Sequence, residues 1–447
     1  MKNKLIIYFY LLCAVSGFSQ EAKQSFSLHE AIDFALENNR TAKNASRDVD
    51  AAYKQKWEAI ASGLPQISAS AEYQNFLKQP VSLIPAEFVG GNSGDFIEVV
   101  FGTKQNISAT ATLSQKVFDG SYIVGLQSAK VFLEISKNAK VKTDLEVRKA
   151  TINAYGNVLL SEESVKIFEE NRKTLQKNLN ELTKIYENGL EEEESVEQLK
   201  ITLSSIESAL NNATRLKAVA YQMFNMTLGL DVDHPSILED NLETLTASNV
   251  DLGLINNPFS IENTIDYQIA ENDKTSKELL VKLEKSKALP TLNTFINGGY
   301  SGFSDSFTFG DRSQKWFGSS LFGLNLNIPI FSSGMRGAST QRAKINLEKS
   351  KDNLTETEQR IKLEIATAKS DYQFSIEDYT NKKENLELAE RIEAKNETKF
   401  FEGIASSFEL RQAQIQLYTA QQDFLKAMLD VITKKAELET VLNSINQ

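Results

Sequence analysis

The stretch LRQAQIQLYTAQQDFLKAMLDV, residues 410–431, decides the fold. Its apolar side chains recur at alternating spacings of three and four, at Leu410, Ala413, Leu417, Ala420, Phe424, Ala427 and Val431. That spacing is the seam of a coiled coil, in which one face of a helix packs against another helix. The stretch VEQLKITLSSIESALNNATRLK, residues 196–217, repeats the seam 214 positions earlier and fails only at Lys217. The sequence therefore predicts two long helices that pack by the same rule.

The rest of the chain also contains an internal repeat. Leu64-Pro65 corresponds to Leu289-Pro290 at an offset of 225, and YENGL at 186–190 corresponds to FFEGI at 400–404 at an offset of 214. The shorter offset means that the first half carries about twelve extra residues between its two predicted strands. We predict a first repeat over 20–235, with strands near 64–77 and 105–118 and a helical hairpin over 121–228. The second repeat covers 236–447, with strands near 290–303 and 319–331 and a helical hairpin over 335–440.

The placement of proline separates helices from strands, because proline is expelled from helix interiors. Residues 86–234 contain none of the seven prolines, and residues 330–447 contain none either. A helix over 121–187 would be about 100 Å long at 1.5 Å per residue, which no compact domain accommodates.

The predicted strands have a period of two, with one apolar and one polar face. Ile107, Ala109, Ala111 and Leu113 alternate with Ser108, Thr110, Thr112 and Ser114, and Phe322, Leu324 and Leu326 alternate with Gly323, Asn325 and Asn327. Such alternation fits a soluble antiparallel sheet, and it equally fits a membrane barrel with lipid outside and water inside. Aromatic residues near the strand ends favour the membrane. In a barrel, the pore-facing residues are Ser108, Thr110, Thr112, Asn325 and Asn327.

Four strands are too few to close a membrane barrel, which needs roughly eight or more. If the strands span a membrane, several chains must share one barrel, and strand counting alone allows two, three or more copies.

The start of the sequence predicts secretion. Lys2 and Lys4 precede an apolar run over 5–15 and the small-residue pattern at 17–19, so residues 1–19 are predicted to be a signal peptide. Lipidation at Cys13 is disfavoured because Leu12 stands where a small residue is needed.

Composition excludes several classes of function. After the predicted signal peptide no cysteine remains, and with only His29 and His234 as imidazoles we expect no metal site, no cofactor and no nucleophilic triad. The net charge of −11 argues against nucleic acid as a partner. No later stretch approaches the roughly 20 apolar residues of a spanning helix, which excludes an inner membrane transporter.

Together these segments resemble a known family. LHEAIDFALENN at 28–39, the Leu-Pro turns, VFDG at 117–120, IPIF at 328–331 and the turn glycines Gly189 and Gly403 are similar to TolC-like outer membrane efflux proteins, the outer membrane factors. The resemblance implies a mainly α fold with a membrane β-barrel portion, built as a homotrimer with a twelve-stranded barrel and an α-helical periplasmic tunnel. It implies an outer membrane location with a large periplasmic portion, an equatorial region near 24–40, 229–262 and the C-terminal tail, and no enzyme activity. The implied partners are outer membrane lipid, a periplasmic adaptor (membrane fusion protein) and an inner membrane transporter, in a tripartite efflux or type I secretion system.

The resemblance also implies where function lies. Gly189, Leu190, Gly403 and Ile404 are expected at the periplasmic hairpin tips that dock the adaptor, although these glycines equally fit plain helix stops. Glu409 stands at the place of an acidic entrance ring, although Gln412 is not acidic and Glu409 also fits an ordinary helix-start acid. Glu191, Glu192, Glu193 and Glu194 are further gate candidates, or simply a solvated face.

Two other classes of function stay open. A secreted periplasmic adaptor would show one helical hairpin inside lipoyl-like halves, whereas this chain shows two hairpins in tandem. A secreted coiled-coil structural protein would pack the strands as a soluble sheet.

Overall fold

A computed structural model describes residues 24–256 and 258–443, so the predicted signal peptide with Cys13 and the last four residues lie outside the described residues. The helices in this part of the chain are α1 (Leu28–Asn38), α2 (Arg40–Ala61), α3 (Gly120–Glu187), α4 (Glu193–Leu228), α5 (Leu242–Ser248), α6 (Gly253–Asn256), α7 (Ile265–Ser286), α8 (Met335–Phe401) and α9 (Ser407–Leu442). The strands are β1 (Gln24–Phe26), β2 (Gln66–Asn75), β3 (Val81–Pro85), β4 (Phe96–Val100), β5 (Gln105–Asp119), β6 (Ser236–Leu238), β7 (Thr291–Ser304) and β8 (Trp316–Asn327).

The long helices confirm the tandem repeat. In the first repeat α3 and α4 have 68 and 36 residues, and in the second α8 and α9 have 67 and 36. The ends of α3 and α8, at 187 and 401, and both ends of α4 and α9, at 193 and 407 and at 228 and 442, are each 214 positions apart. The predicted fold class, mainly helical with two strand pairs each followed by a long helix pair, is therefore confirmed.

One compact unit, residues 51–134 and 272–351, contains the main sheet. Its order is β2-β5-β7-β8 and every neighbouring pair is antiparallel, so the two repeats join along β5 and β7. The last strand differs from the sequence prediction, since β8 begins at Trp316 rather than 319 and ends at Asn327 rather than 331. Pro329 has no N–H group to donate to a ladder, which accounts for the early end.

The extra residues of the first repeat form a small sheet that the sequence did not predict. Within the segment 78–104, β3 and β4 pair antiparallel, with Val81 opposite Val100 and Pro85 opposite Phe96. They form a two-stranded sheet of their own, separate from the main sheet.

The other compact unit, residues 24–50, 135–271 and 352–443 of the described chain, is mostly helical. Its largest buried cluster contains Tyr155, Phe26 and Phe224, whose rings meet edge to face. The Tyr155 hydroxyl lies 2.7 Å from Asp240 Oδ2 and 3.0 Å from the carbonyl oxygen of Phe26. Burial is the main cause that raises the pKa of Tyr155, and the hydrogen bond to Asp240 adds to it.

Segments that lie far apart in sequence meet in this unit. The strand β1 pairs in parallel with β6, so Phe26 lies opposite Leu238. Asn225 connects the same region, because its amide donates to the carbonyl oxygens of Val232 and His234 and its Oδ1 accepts from the Ser236 hydroxyl. The segments near 24–38 and 229–248, which the resemblance assigns to an equatorial region, thus pack together.

The two seams are buried to different degrees. The six apolar positions of the first seam that precede Lys217 are all buried. In the second seam Leu410, Ala413, Ala427 and Val431 are buried, whereas Leu417, Ala420 and Phe424 are only half-buried. Among the described residues, no helix is both long enough and apolar enough to cross a membrane.

Candidate functional site

The turns between the long helices have the same backbone in both repeats. Gly189 and Gly403 both have φ of +73°, a left-handed conformation that only glycine adopts without strain. Leu190 N–H donates to the carbonyl oxygen five residues earlier, and Ile404 N–H does the same. Both glycine N–H groups donate to the carbonyl three residues earlier. This hydrogen-bond pair is the Schellman motif, so the two helix ends are closed by identical means.

The residue after each glycine is apolar and largely exposed. A Schellman motif usually packs this side chain against the last helical turn, yet Leu190 is 78% exposed and Ile404 is 70% exposed. Phe408 adds another exposed ring two residues into α9, with the Arg411 guanidinium 5.5 Å from its centroid. We call the two turns, 188–192 and 402–406, the hairpin tips. Each tip presents an apolar side chain that its own chain leaves uncovered.

Glu409 caps the second tip. Its carboxylate accepts from the N–H and hydroxyl of Ser406, at 2.8 and 3.0 Å, while the Ser406 hydroxyl accepts from Glu409 N–H. This reciprocal pair is a capping box. The hydrogen bonds from Ser406 lower the pKa of this exposed carboxylate.

The acidic run at the first tip is less regular. Glu191 accepts a hydrogen bond from the Ser195 hydroxyl at 2.6 Å, and Glu194 accepts one from the Gln198 amide at 2.8 Å. Glu192, Glu193 and Glu194 are exposed at the start of α4, where negative charge stabilises the helix dipole. Local helix stabilisation therefore accounts for part of this run, as it does for Glu409.

The register of the main sheet places all five candidate pore residues on one face. Ser108 is opposite Ser301, Thr110 is opposite Gly299, and Thr112 is opposite Asn297. Asn325 and Asn327 are opposite Asn293 and Thr291 on the same face of β7. The other face carries Ile67, Tyr73, Ile107, Leu113, Ile296, Tyr300, Trp316, Phe322, Leu324 and Leu326.

The polar face is not uniformly polar, which the sequence analysis missed. Four large apolar side chains lie on it, all from β7 and β8: Phe295, Phe303, Phe317 and Leu321. The rings of Phe303 and Phe317 are 6.0 Å apart, and both are about half exposed. The strands β2 and β5 place no apolar side chain on this face between Gln66 and Gln74 or between Asn106 and Ser114. The sequence carried a signal for this, because the aromatic residues of β7 occur at both odd and even positions and so break its alternation.

A buried polar group lies between α3, α8 and α9. The Asn178 amide, itself buried, donates to Glu397 Oε1 at 2.8 Å. Burial raises the pKa of the neighbouring Glu393, and the charge of Glu397 adds to the shift. Burial also raises the pKa of Tyr418, together with the charges of both carboxylates.

The two histidines lie in separate places. His29 is beside Asp33 on the exposed side of α1, and His234 Nδ1 is 3.1 Å from the Ser236 hydroxyl. Among the described residues, no group of three or more histidine, cysteine, aspartate or glutamate side chains could hold a metal ion.

Comparison with known proteins gives one consistent result. Residues 263–444 match the family model "Outer membrane efflux protein". The "Outer membrane protein TolC" of Salmonella enteritidis is 20% identical over 464 residues, covering 100% of this chain and 88% of that protein. The "Toluene efflux pump outer membrane protein TtgC" of Pseudomonas putida is 21% identical, covering 93% of this chain and 82% of its own length.

The fold agrees with solved outer membrane channels. The crystal structure of CusC, in a study of its folding and transmembrane channel formation, has a TM-score of 0.74 at 18% identity and covers 93% of this chain and 91% of its own. The outer membrane protein VceC from Vibrio cholerae has a TM-score of 0.70 at 16% identity, with 93% and 95% covered.

The fold is thus that of an outer membrane channel protein, with a strand unit and a long-helix unit. The comparisons thus agree in relating the chain to the TolC-like outer membrane efflux proteins. It is an outer membrane protein with a large periplasmic part, and it functions as an efflux channel. Its relatives are channel proteins rather than enzymes.

Proposed function

We propose that three copies of this chain form one passive exit duct, which receives its cargo from an inner membrane pump in a tripartite efflux or type I secretion system. A periplasmic adaptor connects the pump to the hairpin tips. Strands from all three copies close a twelve-stranded barrel, and their long helices form the periplasmic tunnel.

The observation that carries this proposal is the pair of open sheet edges. The strands β2 and β8 lie at the two ends of the sheet, and neither has a second neighbour within the described chain. All ten residues of β2 are exposed. In an antiparallel ladder every second residue turns its N–H and C=O groups to one side, so β2 leaves about five such pairs unsatisfied. Each unsatisfied group costs several kcal/mol in hydrocarbon, so other copies must cover both edges.

The test of assembly uses protein purified from outer membrane fractions. We expect a species resistant to SDS that runs as a trimer when unheated and as a monomer when boiled, and that conducts ions in planar bilayers. A soluble periplasmic monomer without conductance would contradict the proposal and would favour a coiled-coil structural protein.

The hairpin tips support docking of the adaptor, because Leu190 and Ile404 are the apolar side chains that the turns leave uncovered. We expect Leu190→Asp and Ile404→Asp to abolish export by the intact system while the purified channel keeps its conductance. Ile201→Asp is the matched control, since Ile201 is also exposed, at 65%, but lies on α4 away from the turn. Equal loss with all three variants would indicate a general defect rather than docking.

The tip acids support an electrostatic entrance. Three copies would place twelve carboxylates from Glu191–Glu194 and three from Glu409 around one mouth, and such rings select cations. We expect replacement of the four glutamates by glutamine to lower the preference for cations over anions, measured as a reversal potential in a salt gradient. Glu409→Gln separates the contribution of the second tip. An unchanged reversal potential in both variants would assign these acids to helix stabilisation alone.

A further inference from the structure

The β3–β4 hairpin carries apolar surface that the described chain leaves open to solvent. Val81, Leu83, Phe96 and Val100 project from one face, which also carries Glu98 opposite Leu83, because directly opposed residues of an antiparallel pair share a face. Their exposed fractions lie between 47% and 65%. We call these four side chains the hairpin patch. A two-stranded hairpin alone is marginally stable in water, so this patch needs a partner.

Lipid tails do not fit as that partner. The ten residues of β2 extend about 33 Å, or about 25 Å across the membrane when tilted by about 40°, which is the full height of the apolar band of a barrel. The hairpin follows β2 and therefore lies beyond that band. Anionic lipid head groups do not fit either, since residues 79–103 contain Glu87, Asp95 and Glu98 but no lysine or arginine.

A second uncovered apolar surface lies at the same end of the sheet. Phe303, Phe317 and Leu321 project from the polar face of β7 and β8, with exposed fractions between 49% and 57%. We call them the lumen patch. The register aligns Asn75 with Gln105 and Gln105 with Ser304 at the end of the sheet where the hairpin begins. Both patches thus belong to one rim.

We propose that the hairpin patch of one copy docks on the lumen patch of the adjacent copy, across the junction where β2 of one chain pairs with β8 of the next. This inference rests on the proposed barrel, because only a closed barrel brings β8 of a neighbour beside β2. Phe317 and Leu321 belong to β8 itself, so they lie one strand away from the root of the hairpin. The eight residues from Asn75 to Leu83 span up to about 26 Å, which reaches a neighbouring strand.

The root of the hairpin allows such a fold-back. Gly102 has φ of +90°, a turn conformation that suits glycine, and a Cβ added at this position would have no atom within 4 Å, so nothing crowds the chain there. Three hydrogen bonds lie at the root among the described residues: Phe76 N–H donates to the Lys104 carbonyl oxygen, the Gln79 amide donates to the Gly102 carbonyl oxygen, and Lys104 N–H donates to Asp305 Oδ1. The loop 305–315 of the neighbour carries two exposed cations, Arg312 and Lys315, and two exposed acids, Asp305 and Asp311, so it has no net charge that would repel the acidic hairpin.

Disulfide trapping tests the contact in the assembled channel. The double variant Leu83→Cys with Phe317→Cys, made with Cys13→Ser so that no other cysteine is present, is oxidised in outer membranes and run boiled on a non-reducing gel. We expect linked dimers and trimers that disappear on reduction. The control Leu83→Cys with Phe322→Cys places the second thiol on the opposite face of β8 and is expected to stay monomeric.

Three outcomes would overturn the docking. The double variant could stay unlinked, it could form a disulfide within one chain, or Leu83→Cys alone could link, which would mean that hairpins meet one another instead. An unheated gel of the parent protein keeps the two proposals apart. A trimer without cross-links contradicts the docking only, whereas the absence of a trimer contradicts the proposed function.

Conductance gives a second readout. A hairpin folded against the lumen patch narrows the outer mouth, so Leu83→Ser with Phe96→Ser should raise the single-channel conductance of an otherwise normal trimer. Ser82 lies on the other face of the hairpin, and Ser82→Ala is expected to leave the conductance unchanged. Equal conductance in the parent and the double serine variant would contradict the docking.

Discussion

Replacement of Phe322 by arginine is the sharpest test of which face of the main sheet contacts lipid. Phe322 lies near the middle of β8 on the apolar face, opposite Ile296. Asn325 lies three residues further on the polar face, opposite Asn293. We therefore compare Phe322→Arg with Asn325→Arg, two variants that introduce the same side chain on opposite faces of one strand.

The magnitude follows from exposure and depth. Phe322 is 64% exposed in the single chain, so lipid covers about two thirds of it, and the loss of that burial costs about 1–2 kcal/mol. An arginine on the lipid face near the midplane costs a further 2–4 kcal/mol or so. The sum of about 3–6 kcal/mol per chain corresponds to a factor of about 10² to 10⁴ in the folding equilibrium. Asn325→Arg keeps its charge in water and should change the free energy of unfolding by roughly 0.5 kcal/mol or less.

Guanidinium unfolding of protein reconstituted in liposomes measures the difference. Equal destabilisation by both arginines would refute the assignment of faces. A soluble sheet would also suffer from Phe322→Arg, so lipid contact is measured separately with brominated lipid. Trp57→Phe leaves Trp316, on the apolar face, as the only tryptophan, and its fluorescence should be quenched. Unquenched fluorescence would place this face in a protein core.

Three further predictions concern the helical part. Asn225→Leu removes three hydrogen bonds and leaves the Val232 carbonyl oxygen without its partner, whereas the His234 carbonyl and the Ser236 hydroxyl keep one partner each, so the free energy of unfolding should fall by about 2 kcal/mol in denaturant titrations. Burial first, and then the charge of Glu397, raise the pKa of Glu393, so the folded state binds its proton more tightly. The resulting stabilisation of the folded protein is fully present below the pKa that Glu393 has in the unfolded chain. It is lost as the pH rises through the pKa that Glu393 has in the folded chain. Glu393→Gln should therefore flatten the fall in stability as the pH rises above the usual range of a glutamate. Gly403→Ala should cost about 1 kcal/mol through its left-handed backbone, whereas Gly125→Ala, inside α3 with open space around it, should stabilise by about 0.5–1 kcal/mol in the same titration.

The sequence predicts the helical hairpins well because their signals are local and repeated. The turn glycines locate the ends of the helices, the proline-free tracts locate their lengths, and the seam locates the face that packs. Each of these signals occurs again 214 residues later, which supports the assignment a second time. The buried first seam, with Val196 and Leu210 among its members, shows that the 3–4 spacing indeed marks the packed face.

The missed features depend on contacts that the local pattern does not encode. The pairing of β1 with β6 joins three-residue strands that lie more than two hundred positions apart, which no periodicity reveals. The β3–β4 hairpin was hidden because Pro80 precedes β3 and Pro85 is its last residue, and both prolines indicate a loop. The lumen patch was missed because the alternation was taken from residues 107–114 and 322–327, whereas Phe303 on β7 and Phe317 and Leu321 at the start of β8 lie outside these stretches.

The two repeats are alike at the turns between their long helices and unlike at the loops between their strands, which suggests different roles for these two parts of the chain. The hairpin tips have the same φ, the same helix-closing hydrogen bonds and an exposed apolar residue in the same place. The proposed trimer would therefore offer six nearly equivalent contacts to an adaptor. The strand loops share none of this, because only the first repeat carries the apolar hairpin and only the second carries the lumen patch. A surface present once per chain forms a contact only between copies or with a dissimilar partner. The repeated tips therefore suit a partner that docks around the whole ring, whereas the unequal loops suit contacts that join neighbouring copies around the proposed barrel.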